Sequence, residues 1–117
     1  MLELGLMVLP LPLWFLEQLW PFPAVIEETA KAVFIHRARD GRQALVWGLI
    51  FGIAEAFLFL VNANLLLTFT VWWRRLLLTV PMHGLTAGTY WTLRQPWWLG
   101  LAAAILIHAG FNQLVRR

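Results

Sequence analysis

The sequence predicts an all-α fold: a polytopic bundle of membrane helices, about four in its core, with an apolar segment at the N-terminus. Three observations carry that prediction. Of 117 residues, 61% are hydrophobic and 13% charged, with a mean hydropathy of +0.70, an apolar share well above that of ordinary soluble domains. Long apolar stretches end in arginine and tryptophan, the residues that meet lipid headgroups. The few ionisable residues inside those stretches recur at one depth. A span needs about 20 residues, so residues 1–117 are expected to form one integral membrane domain with no separate soluble part.

Within the N-terminal segment 1–22, residues 4–20 are apolar but carry Pro10, Pro12 and Glu17. A kinked span, a re-entrant piece and an interfacial helix all fit them. They lack the basic start and small-residue cleavage site of a signal peptide, so the segment is expected to stay attached. The core is expected over residues 24–114. Pro21-Phe22-Pro23 breaks the chain, and Ala24 to about Arg37 reads as a helix with its acidic residues in the first turns, favourable to the helix dipole. After the polar turn Arg37 to Arg42, Ala44 to Ala63 is a span whose only charge is Glu55. Asn62 to Trp73 reads as an interfacial connection, with Trp72-Trp73 and Arg74-Arg75 at its edge. Leu76 to Leu93 is the next span, with a kink expected at Pro81. Arg94-Gln95-Pro96 turns the chain into the last span, Trp97 to Leu114.

The net charge is +3, but the basic residues lie mostly at segment ends, which assigns them to the lipid bilayer and not to nucleic acid. Arginines 37, 39, 42 and 94 balance 74, 75, 116 and 117, so orientation stays open. Most of the eight tryptophans read as interface anchors. The small residues at Gly48, Gly52, Ala54, Ala56, Gly84, Ala87, Gly88 and 102–104 read as sites of close helix packing.

An ionisable group at membrane depth is costly unless partnered, which makes each one a candidate functional residue. Counting about 1.5 Å of rise per residue from the side of the Arg37–Arg42 turn puts Glu28 about 15 Å in, Glu55 about 18 Å, His83 about 17 Å and His108 about 18 Å. Four alternating helices would bring them to one level. Glu27 with Lys31, and His108 with Asn112, are i,i+4 pairs that share a face; Arg75, Thr79 and His83 fall on one stripe. Lys31 can neutralise only one carboxylate. The others must be protonated, metal-bound, or paired with histidine or Arg75.

These groups suit general-base work by Glu27 or Glu28, with His108 and Asn112 as an oxyanion-binding pair. Packing histidines, an ion pair that keeps the helix neutral, and an interhelical clamp are the structural alternatives. Cysteine is absent, as is serine, so thiol and serine acyl-enzyme routes are closed. The sole aspartate, Asp40, lies in a turn, which excludes a membrane aspartate pair. Water activated by glutamate remains, with or without a metal. No His-Glu-x-x-His motif is present, yet Glu28, Glu55, His83 and His108 together offer a mixed oxygen and nitrogen site for a divalent metal such as zinc.

Glu27-Glu28-Thr29-Ala30-Lys31, Phe51-Gly52-Ile53-Ala54-Glu55, Pro81-Met82-His83-Gly84-Leu85 and His108-Ala109-Gly110-Phe111-Asn112 occur in one order. That set resembles the PrsW family of intramembrane proteases, relatives of the type II CAAX prenyl proteases. The resemblance implies a peptidase of a prokaryotic plasma membrane that hydrolyses a peptide bond of a membrane protein or peptide in or near the bilayer. Its implied catalytic residues are Glu27, Glu28, Glu55, His83, His108 and Asn112: a glutamate activates water, the histidines polarise or protonate, and Asn112 stabilises the oxyanion. Asparagine at the last position favours that oxyanion role over carboxylate metal ligation. A non-enzymatic membrane protein, using the same cluster to bind ions, relay protons or engage a partner, is the rival expectation.

Overall fold

The computed structural model describes residues 1–62 and 68–115. Six helices account for most of them: α1 (Leu2–Val8), α2 (Pro10–Glu17), α3 (Pro23–Ile35), α4 (Gly41–Asn62), α5 (Thr68–Thr92) and α6 (Trp97–Val115). The described residues contain no strand. Two helices, over Gly41–Val61 and Trp97–Val115, are long and apolar enough to cross a membrane.

The N-terminal segment becomes two short helices because Pro10 and Pro12 have no N–H to donate. The backbone stays right-handed through Leu9 (φ −52°, ψ −40°), and Leu9 N–H to Gly5 O (2.9 Å) and Leu13 N–H to Leu9 O (3.3 Å) bridge the join. α1 and α2 therefore form a nearly continuous stalk that buries Leu6 and Leu13 and leaves Met7, Leu11, Phe15 and Leu16 exposed.

α3 opens with Pro23 at its first position, where the missing N–H costs nothing. Its 13 residues extend about 20 Å, short of the approximately 30 Å hydrocarbon layer that a full span must cross. Glu27 and Glu28 fall just past its first turn, not within it, so the expected dipole benefit is reduced. In the following turn Asp40 Oδ1 accepts from Gln43 N–H (2.7 Å), and Gln43 Oε1 accepts from Arg39 N–H (2.7 Å). This reciprocal pair satisfies donors at the start of α4, as a capping box does. The turn is fastened to the end of α5 by Trp91, which donates to Ala38 O (3.4 Å), and by Tyr90, whose hydroxyl lies 3.2 Å from His36 Nδ1.

Of the connection expected over Asn62 to Trp73, residues 68–73 belong to α5. Residues 63–67 of it lie outside the described residues, and Trp72, Trp73, Arg74 and Arg75 belong to α5. Pro81 sits inside α5, and the helix continues through it. Trp47 departs from the interface-anchor expectation: it is 3% exposed and donates to Glu3 Oε1 (3.3 Å), holding α1 on α4. Trp97 and Trp98, by contrast, are exposed at the start of α6.

α4 and α5 form the closest seam. A Cβ on Gly48 would come within 2.3 Å of the His83 carbonyl oxygen, and one on Gly52 within 2.9 Å of Val80 Cα. Only hydrogen fits at those two points. Gly88 differs from the packing role expected of it, since nothing lies within 4 Å of its missing Cβ. The apolar core runs through Leu6, Leu13, Ile35, Trp47, Phe51, Tyr90 and Ala104.

Candidate active site

Lys31 stands at the centre of the polar cluster, 1% exposed. Its Nζ lies 2.8 Å from Glu28 Oε1, 2.9 Å from Thr86 Oγ1 and 3.0 Å from His83 Nδ1. An ammonium offers three donors and no acceptor, so all three contacts are donated by lysine. His83 Nδ1 therefore accepts, and the ring proton sits on Nε2, where it faces Glu55 Oε2. The seam between α4 and α5 makes this contact possible, because Gly52 leaves room for the ring: its Cβ would meet His83 Cδ2 at 3.1 Å. Phe51 closes one side, its ring centre 5.0 Å from that of His83.

Lys31 pairs with Glu28, three residues before it, instead of with Glu27 as the i,i+4 spacing suggests. Both separations bring side chains to one helix face; the pairing follows the side on which α5 supplies Thr86 and His83. Glu28 Oε1 also lies 2.7 Å from His108 Nδ1. As the carboxylate partner of Lys31 it accepts the Nδ1 proton, which leaves the lone pair of His108 on Nε2. Glu28 is 2% exposed and so acts as the brace that fixes the orientation of the His108 ring.

Glu27 is placed differently. It is 6% exposed, yet its Oε2 makes no hydrogen bond within the chain. The nearest cation-forming group is His108 Nε2, 3.6 Å away, which is ion-pair range and beyond hydrogen-bond length. Glu27 borders two cavities, of about 180 Å³ and about 340 Å³. Glu17, Glu55 and Arg75 border both as well. Asn112 and Thr79 line the larger cavity beside His108.

Ligand atoms of Glu27, His83 and His108 lie within 4.8 Å of one another, close enough to hold a metal ion. This trio contains Glu27, not the Glu28 expected as a ligand, because Glu28 is turned toward Lys31 and His108 Nδ1. Two features suit a metal there: the unpartnered Glu27 oxygen, and a His108 lone pair whose opposite nitrogen is held by a carboxylate, the usual support of a metal-bound histidine. His83 completes the trio, and Glu55, also expected as a ligand, stands outside it in contact with His83 Nε2.

Of the sequence-derived candidates, Glu28, Glu55, His83 and His108 are linked by hydrogen bonds through Lys31, while Glu27 and Asn112 face the cavities. Glu17 stands outside that set. It reaches the site from the end of α2, its carboxyl beside that of Glu27; a lone carboxylate in an apolar stretch, next to Pro21-Phe22-Pro23, is the signal that marks it. No family model, curated protein or solved structure matches the chain in comparisons with known proteins.

Proposed function

We propose that the chain is an integral membrane endopeptidase of PrsW type, in which Glu27 activates water against a peptide bond. The observation that carries the reading is the buried Glu27 oxygen without a hydrogen-bond partner, set beside His108 Nε2 and open to two cavities. A buried carboxylate oxygen is costly to leave unsatisfied, and a water in the cavity would satisfy it.

Membrane residence is supported by two apolar helices of spanning length and by large hydrophobic side chains exposed along α1, α2, α4 and α6. The molecule is 45 Å in its longest dimension, comparable with a bilayer including its headgroups. A polytopic arrangement of α4, α5 and α6, with α3 and the stalk packed against them, is the topology we assign.

In the reaction, water oxygen bonds to the scissile carbonyl carbon as Glu27 takes its proton. The carbonyl oxygen becomes an oxyanion, for which the Asn112 amide is the nearby donor. As the intermediate collapses, the C–N bond breaks and Glu27 passes the proton to the leaving amine. His108 is held for this work by Glu28, and His83 by Lys31 and Glu55. A divalent metal bound by Glu27, His83 and His108 would polarise the carbonyl and acidify the water.

Purified protein in liposomes, given quenched fluorescent peptides, tests the reading. The parent should cleave, and Glu27→Gln should not. Elemental analysis with and without chelator separates a metal-assisted reaction from a glutamate-only one. The continuous polar chain Glu55, His83, Lys31, Glu28, His108, Glu27 favours a second reading, ion or proton binding. Glutamate-dependent proton or metal flux without peptide cleavage would establish that one and overturn the first.

A further inference from the structure

The two cavities beside Glu27 differ in character, and they adjoin through a shared border of Glu17, Glu27, Glu55 and Arg75. The smaller, about 180 Å³, lies between α2 and α4 and is walled by Leu13, Trp14, Leu58 and Phe59. The larger, about 340 Å³, lies on the α5 and α6 side and carries Thr79, Asn112 and His108.

A peptide bond open to attack lies in extended chain, where successive side chains point to opposite faces. Residues flanking the bond therefore project in opposite directions. With the scissile carbonyl at Glu27, one flanking side chain would enter the apolar cavity and the other the polar one. A cavity of about 150 Å³ lined by apolar side chains admits a benzene-sized group, so the apolar cavity has room for an aromatic or large aliphatic residue. Thr79 and Asn112 each donate and accept, and with Glu17, Glu55, Arg75 and His108 around them the other cavity fits a polar residue.

Resting on the peptidase reading above, we propose that this site selects an extended membrane peptide segment with a bulky apolar residue on one side of the scissile bond and a polar residue on the other. The α2 segment then determines specificity, because Leu13 and Trp14 form one wall of the apolar cavity.

The test uses the purified full chain in liposomes and two peptides that differ only in having Phe or Ala at one flanking position, assayed at each flank in turn. The parent should prefer Phe at one flank only. Leu58→Trp, which fills the cavity, should cut the Phe-to-Ala ratio of kcat/KM by about tenfold or more, the scale of hydrophobic pocket discrimination. Trp14→Ala, which enlarges it, should raise relative cleavage of a naphthylalanine peptide. Thr79→Val should lower preference for Gln over Leu at the opposite flank. If the parent cleaves and none of these ratios moves, the subsite assignment is overturned and the peptidase reading stands. If the parent cleaves no peptide, with divalent metal supplied or removed, both fall.

Discussion

Glu27 and Glu28 are neighbours on one helix, and both are buried, yet they live in different surroundings. Glu28 is held on one oxygen by two partners: Lys31 and His108 both bond its Oε1. Glu27 leaves an oxygen with no hydrogen bond and looks into open space. Successive residues on a helix are about 100° apart, and that rotation separates a carboxylate that holds the site together from one free to react. One residue type thus occupies two settings, a bonded brace and the carboxylate proposed as the base, which the sequence Glu-Glu cannot express by itself.

The difference can be broken from either end. On the peptidase reading, the largest effect should come from Glu27→Gln, which removes the proposed proton acceptor and should lower kcat by about 10²–10⁴-fold with the thermal midpoint in detergent nearly unchanged. Comparable loss of folding stability in that variant would make Glu27 a second brace and erase the distinction. Glu28→Ala should act the other way round. Stranding Lys31 in the interior should cost about 3–5 kcal/mol, measured by reversible unfolding in mixed micelles. The double variant Glu28→Ala with Lys31→Met should recover much of that loss, because no uncompensated charge remains.

Smaller effects sharpen the geometry behind the comparison. Gly48→Ala forces α4 and α5 apart at the His83 carbonyl and should destabilise by about 1–3 kcal/mol, whereas Gly88→Ala, with open space at its Cβ, should stay within about 0.5 kcal/mol. Equal effects would show that the seam is not what sets the His83 ring against Glu55. Asp40→Ala removes a cap at the start of α4 and should cost about 1 kcal/mol with no change in the Glu27-dependent activity.

Depth counting could bring Glu28, Glu55, His83 and His108 to one level because helical rise is a backbone constant, independent of which side chains pack where. Rotation about the helix axis is different in kind. It depends on what neighbouring helices supply, so the sequence spacing offered Lys31 both Glu27 and Glu28, and only the arrival of Thr86 and His83 from α5 decides between them. Glu17 was hidden for a related reason: three geometries fitted residues 1–22, and its place beside Glu27 depends on how α2 packs against α3 and α4. The burial of Trp47 likewise depends on α1 lying across α4, a contact between residues 44 positions apart. The extent of α5 back to Thr68 escaped because Trp72 to Arg75 carry the composition of a membrane edge while forming part of a helix.

The glycines at 48 and 52 bring α4 against the backbone of α5, and backbone cannot step aside as a side chain can. That side of the bundle can open only if the two backbones separate. On the peptidase reading, a substrate would come in from the α2 side, where Leu13 and Trp14 line the cavity beside Glu27, with α4 and α5 as the fixed frame.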